Sequence, residues 1–294
     1  MSFEVFISSS VRKQKQFKDY VPFCLDESLL PDCRITVFEQ DRDEDLFSAR
    51  NLLFRDISSD LKAHAFMTEG YYVIPWEDGV LIQCGFPQSS KPLPSGLAYV
   101  HEGYRTIDLI ARTDKLGSFG VYNLLLSSYQ FVAADAGALL MHSAAVAYKG
   151  DAILFCGVSG AGKSTQAASW IEYYGAKPIN YDHPCILWKK NTPIACGTPW
   201  GGKEGFCIPE YAPIKAIVFV QKSKKNKLRE LHKGEAFGHM VLINALPHIR
   251  PELDEKLMAT VERLLKSVPV YYQECTMTKE APDTLYKELY GLTK

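Results

Sequence analysis

The segment Cys156-Gly157-Val158-Ser159-Gly160-Ala161-Gly162-Lys163-Ser164-Thr165 satisfies G-x-x-x-x-G-K-[ST] at every fixed position: Gly157, Gly162, Lys163 and Ser164. A chain carrying it must fold so that consecutive backbone N–H groups converge on one point. Glycines permit that convergence because no Cβ stands in the way, and the N-terminus of a following helix adds its dipole. The required context is a buried strand before the loop and a helix after it. Residues 152–156, Ala-Ile-Leu-Phe-Cys, form a short apolar run of strand type. Residues 163–174 contain neither Gly nor Pro until Gly175 supplies a stop. Gly157, Val158, Ser159, Gly160, Ala161, Gly162, Lys163, Ser164 and Thr165 are therefore the candidate nucleotide-phosphate cradle. Lys163 is placed to reach the outer phosphates and the Ser164 hydroxyl to meet Mg²⁺.

The flanking sequence narrows the fold further. Residues 139–148 read as one β run, joined to the loop's strand by Lys149-Gly150-Asp151, which makes a hairpin and hence a mixed sheet. Most folds with this loop are instead built from parallel βαβ units. Residues 178–188 read as a strand with Asp182 at or near its end. That carboxylate is either a second anchor for Mg²⁺, which takes hard oxygen ligands, or a turn cap before Pro184. Residues 197–205 form a glycine-rich loop holding Lys203 and Glu204, suited to cover a substrate or to lie as a plain surface loop. Residues 214–220 read as a buried strand. Residues 251–267 read as an amphipathic helix with Leu253, Leu257, Val261, Leu264 and Leu265 inward, and 282–290 as a last short helix.

The remainder organises as a β-rich N-terminal domain over 1–118, of unknown role, and a second domain over 119–294. Short β runs such as 71–74, 79–82 and 99–100 fill the first, with 87–96 a loop by composition. Residues 119–138 are helical in pattern, with Val121, Leu124, Leu125, Ser128 and Val132 on one buried face, and read as the lead into the second domain. With 33 basic and 34 acidic side chains in 294 residues, nothing electrostatic points to nucleic acid or to a membrane. The basic run 222–227 is a solvated turn or a contact to an anionic substrate. No apolar run reaches the ~18 residues of a membrane span, and MSFEVFISSS lacks a basic start with an apolar stretch, so the expected location is cytoplasmic. The 8 cysteines form no C-x-x-C pair, which points to reduced core residues and away from a zinc site.

Met141-His142, GVSGAGKST and Tyr181-Asp182, in that order and spacing, resemble the C-terminal catalytic domain of HPr kinase/phosphorylase, over about residues 138–290. That family shares its P-loop fold with the phosphoenolpyruvate carboxykinases. The resemblance implies an α/β fold: a mixed-sheet P-loop kinase domain of this type, preceded here by the small β-rich domain. It implies a phosphotransferase using ATP or another nucleoside phosphate, with Mg²⁺ held by Ser164 and Asp182. Asp182, His142 and Lys163 become the catalytic candidates, and the acceptor a serine of a protein or peptide. It also implies some self-association. By residue type alone a lone histidine beside a hairpin, as His142 is, is more often a core or turn residue. Two departures stand out. Tyr181-Asp182 replaces the family's common pair of aspartates, and Ile194-Ala195-Cys196-Gly197 lacks the acid and arginine of its signature loop. The second departure predicts net kinase activity without efficient phosphate-driven reversal, unless Lys203 and Glu204 substitute. Two other readings stay open: a small-molecule kinase on the same fold, and a nucleotide-binding adaptor with little turnover.

Overall fold

A computed structural model describes residues 3–6, 20, 23, 33–40, 66–68, 71–85, 94–112, 115–202, 205–243, 250–276 and 278–291. The chain divides into two compact units, Met1–Ala136 with Leu246–Glu255, and Gly137–Ala245 with Lys256–Lys294. Among the described residues no helix is long and apolar enough to cross a membrane.

The first unit is a seven-stranded sheet in the order β1-β2-β7-β6-β5-β4-β3. Its strands are β1 (Phe3–Phe6), β2 (Cys33–Gln40), β3 (Phe66–Thr68), β4 (Tyr71–Trp76), β5 (Gly79–Gly85), β6 (Pro94–Val100) and β7 (Thr106–Arg112). Pairings β1/β2 and β2/β7 are parallel and the others antiparallel. Of the expected loop 87–96, residues 94–96 open β6 and the rest lie outside the described residues. Helix α1 (Lys115–Asp135) buries Val121, Leu124, Leu125, Ser128 and Val132 and packs on β5, β6 and β7. It therefore belongs with the first unit. Its periodicity reveals a buried face but not which sheet that face covers, and a boundary at 118/119 falls inside it.

The second unit carries a nine-stranded mixed sheet. Its strands are β8 (Leu139–Leu140), β9 (Ser143–Tyr148), β10 (Asp151–Cys156), β11 (Lys177–Asn180), β12 (Cys185–Lys189), β13 (Thr192–Cys196), β14 (Tyr211–Lys222), β15 (Lys227–Glu230) and β16 (Val270–Cys275). The order is β11-β9-β10-β14-β13-β12-β8, with β16 beside β14 and β15 beside β16. The predicted hairpin is β9–β10, closed by Lys149 and Gly150 at φ 51° and 87°. Two left-handed residues in a two-residue turn match the strand twist. Strand β10 is parallel to β14, and its residues 152–156 are fully buried. Helix α2 (Lys163–Tyr174) ends where expected, on Gly175 at φ 68°. The remaining helices are α3 (Lys233–Ile243) and α5 (Glu280–Tyr290) in this unit and α4 (Pro251–Leu265), which belongs to the first unit as far as Glu255 and to the second from Lys256. Along α4, Leu253, Leu257, Val261 and Leu264 are buried while Leu265 is only partly so. Among the described cysteines, Cys33, Cys84, Cys156, Cys185 and Cys275 are buried.

Two expected strands are each broken, and the breaks lie side by side. The run 139–148 parts at Met141-His142: β8 pairs with β12, whereas β9 pairs with β10 and β11. Its backbone is pulled aside by bonds from Met141 N to Pro184 O at 3.0 Å and from Ser143 N to Asp182 O at 2.9 Å. The run 178–188 parts at residues 181–184, with β11 joining β9 and β12 joining β13 and β8. Pro184 has no N–H to offer a ladder. The Asn180 side chain instead accepts from the N–H groups of Asp182 at 2.9 Å and His183 at 2.8 Å, turning the chain.

Candidate functional site

The glycine loop leaves β10 and enters α2 through three left-handed glycines: Gly157 at φ 144°, Gly160 at 78° and Gly162 at 107°. At Gly157 a Cβ would also stand 3.0 Å from Val220 O and 3.1 Å from the Ala161 methyl. Val158, Ser159 and Gly160 form the exposed crest, and Ala161 N–H donates to Val158 O at 3.1 Å. Ser164 and Thr165 sit half-buried on the first turn of α2. Lys163 is buried, and its ammonium donates back to Gly157 O at 2.9 Å and Val158 O at 3.3 Å. Burial depresses its pKa, against the opposing pull of Asp182 and Cys156. An arriving phosphate would take the ammonium from these loop carbonyls.

The paired breaks in the sheet bring His142 and Asp182 together and add His183. His142 Nε2 lies 3.5 Å from Asp182 Oδ1, and His183 Nδ1 lies 3.1 Å from Oδ2. The latter contact is close, but its N–H is not aimed squarely at the oxygen. The two imidazoles stack at 5.4 Å with planes 12° apart. Burial works against ionisation of Asp182, yet the His183 contact and the charges of His183, His142 and Lys163 outweigh it and hold the carboxyl below its usual range. His142 is pushed down by burial first and then by Lys163 and His183, with Asp182 opposing. The site at neutral pH is thus an ionised carboxylate beside a neutral imidazole.

A buried latch fixes this turn from below. Asn180, fully buried, donates to Thr198 O at 2.9 Å and Thr198 Oγ1 at 3.2 Å, and that hydroxyl donates to His183 O at 2.6 Å. Gly202, at φ 68°, lies against the carboxylate: a Cβ there would stand 2.8 Å from Asp182 Cβ and 3.1 Å from Oδ2. Asn180→Ala strips the acceptor from two backbone amides and breaks the tie to Thr198. A loss of about 1–3 kcal/mol is expected, read as a lower urea midpoint at unchanged slope. An unchanged midpoint would show that the turn stands without the latch.

Of the residues marked in the sequence, Lys163, His142 and Asp182 are brought into one electrostatic cluster, and Ser164 follows Lys163 on α2. Lys203 and Glu204 lie outside the described residues. Tyr181, which stands before Asp182 in place of a second carboxylate, is buried against the Phe206 ring at 4.8 Å between centroids. His183 and Asn180 are not marked by the sequence patterns, whereas Thr198 and Gly202 belong to the glycine-rich loop 197–205. Of the first pair, only His183 carried a signal, as a second histidine next to the one acid. The ionised Asp182 carboxylate and the Ser164 hydroxyl are hard oxygens of the kind Mg²⁺ takes.

The chain matches no known family model and no curated protein. Among solved structures it is similar to the Hpr(Ser) kinase/phosphatase from Coxiella burnetii, at 10% sequence identity and a TM-score of 0.29, over 50% of this chain and 90% of that one.

Proposed function

We propose that this protein is a nucleotide- and Mg²⁺-dependent phosphotransferase that moves a phosphoryl group from ATP, or another nucleoside phosphate, to a hydroxyl. The observation that carries the proposal is the ionised Asp182 held between His142 and His183, in the same electrostatic cluster as a phosphate-loop Lys163. Phosphoryl transfer asks a protein for positioning and charge stabilisation more than for covalent help. The loop amides and Lys163 bind the outer phosphates and take up charge as the bond to the leaving oxygen breaks. Ser164 and Asp182 would hold Mg²⁺, which when bound supplies Lewis-acid stabilisation of the phosphate oxygens. The acceptor's proton goes to His142, or to Asp182 if the metal leaves it free, as the new O–P bond forms.

A serine of a protein or peptide is the acceptor proposed, and it rests on the resemblance of the motifs. The proposed direction is forward, since Ile194 and Cys196 on β13 offer neither acid nor arginine for activating inorganic phosphate. The buried Tyr181 leaves a single carboxylate at the turn, which favours as a second reading an adaptor that binds nucleotide and turns over little. Incubation with γ-labelled ATP, Mg²⁺ and a fractionated soluble extract separates the two. Label in serine of a peptide or protein fraction supports the proposal. Tight nucleotide binding with no transfer supports the adaptor, and absence of Mg²⁺-dependent nucleotide binding overturns both.

A further inference from the structure

We infer that His183 is a positioning residue, holding the Asp182 carboxylate in the one orientation from which it can serve a divalent cation. The inference rests on the proposed phosphotransferase reading and deepens it. A lone carboxylate at a turn would otherwise sample several rotamers, and each non-binding rotamer lowers its affinity for a metal.

Three features make His183 the fixed partner. First, its side chain is the least exposed of the cluster, at 16% against 29% for Asp182 and 41% for His142, so protein rather than solvent decides where the ring lies. Second, its backbone is tied at both ends. Its N–H is shared between Asn180 Oδ1 at 2.8 Å and Trp200 O at 3.3 Å, and its carbonyl accepts from the Thr198 hydroxyl at 2.6 Å. Third, Nδ1 is buried and lies 3.1 Å from Oδ2 of Asp182, within reach of a hydrogen bond although its N–H is not aimed squarely at that oxygen. On the other side Gly202 leaves no room for a Cβ, so the carboxylate is confined between that backbone and the ring. His142, more exposed and farther away at 3.5 Å, is free to meet an acceptor. Groups that orient a metal ligand without touching the metal change metal affinity by about 10–100-fold when removed.

The test uses the full chain and binding alone, so no acceptor need be known. Nucleotide binding is titrated calorimetrically with ADP across a Mg²⁺ series and in EDTA, for wild type, His183→Phe, His183→Asn and His183→Gln. Phenylalanine keeps the ring and its stacking but loses the donor. Asparagine places an N–H near the Nδ1 position, and glutamine places it one carbon farther out. His183→Phe and His183→Gln are expected to raise the half-saturating Mg²⁺ concentration about tenfold, with EDTA affinity and melting temperature unchanged, while His183→Asn recovers most of the loss. Equal Mg²⁺ dependence in all four proteins overturns the inference and leaves the phosphotransferase reading standing. So does equal impairment of Asn and Gln, which would mean that only ring packing matters. Should His183→Phe fail to fold, the Asn/Gln contrast decides. A wild type with no Mg²⁺-dependent binding overturns the parent reading, and this one with it.

Discussion

Lys163→Ala is expected to weaken Mg²⁺-nucleotide binding about 10- to 100-fold and to remove phosphoryl transfer, with little change in the stability of the free protein. The first figure follows from hydrogen bonds to a charged group, worth about 1.5–3 kcal/mol, at about 1.4 kcal/mol per decade. The second part follows from where the ammonium rests. In the free protein it donates to Gly157 O and Val158 O, but its burial works against its charge and depresses its pKa. Deleting it removes favourable bonds and a desolvation cost together, and these offset. A ligand present at 100 times its Kd stabilises a fold by about 2.7 kcal/mol, so the wild type should melt several degrees higher with Mg²⁺-ADP. At the same ligand concentration the variant should lose most of that rise while melting normally alone. Unchanged affinity together with unchanged turnover would sink the phosphate-loop reading.

What could be read in the sequence was local. The strand at 152–156, helix α2 to its stop at Gly175, and the β9–β10 hairpin follow from apolar runs and glycine placement, all set by neighbours in the chain, although the turn is two residues, Lys149-Gly150, with Asp151 already in β10. The breaks that build the site were hidden by the same rule. Leu139 to Tyr148 is nearly unbroken in apolar and β-type residues, and nothing local in it stops a strand at Met141. The interruption is imposed from residues about 40 positions downstream, by the carbonyls of Asp182 and Pro184. In 178–188 the turn chemistry was in view, since Asn180 and Pro184 both favour it, but the strand-like Cys185-Ile186-Leu187-Trp188 masked it. Thr198 and Gly202 lie in a glycine-rich loop suited by composition to cover a substrate, but the contacts of Thr198 to His183 and of Gly202 to Asp182 are tertiary, and no spacing rule gives them. The site is thus a place where two segments abandon regular pairing together, and such a coincidence is a property of the fold rather than of either segment.

Asp182→Asn separates the two halves of the phosphate chemistry that Lys163→Ala removes together. The amide has nearly the shape of the carboxylate and can still sit between the imidazoles, and the Asn180 turn beneath it depends on backbone groups that the substitution leaves alone. What disappears is the negative charge, which His183, His142 and Lys163 maintain against burial. Without it Mg²⁺ loses its anionic oxygen, and a loss of at least about 100-fold in Mg²⁺ affinity is expected, beyond what removing an orienting neighbour costs. Without metal the sign reverses. A carboxylate in the same cluster as Lys163 opposes the arriving phosphates and competes for the ammonium, so its neutralisation should leave nucleotide affinity in EDTA unchanged or raise it. Plotted against Mg²⁺ concentration, the binding curves of the two proteins should therefore meet or cross at the metal-free end and diverge as Mg²⁺ rises, whereas Lys163→Ala should lie below wild type throughout. Transfer should fall with the metal-dependent part alone. Curves for Asp182→Asn that overlay the wild type at every Mg²⁺ concentration would reduce Asp182 to a turn residue before Pro184, and the metal would then have to be held without the one carboxylate between the two histidines.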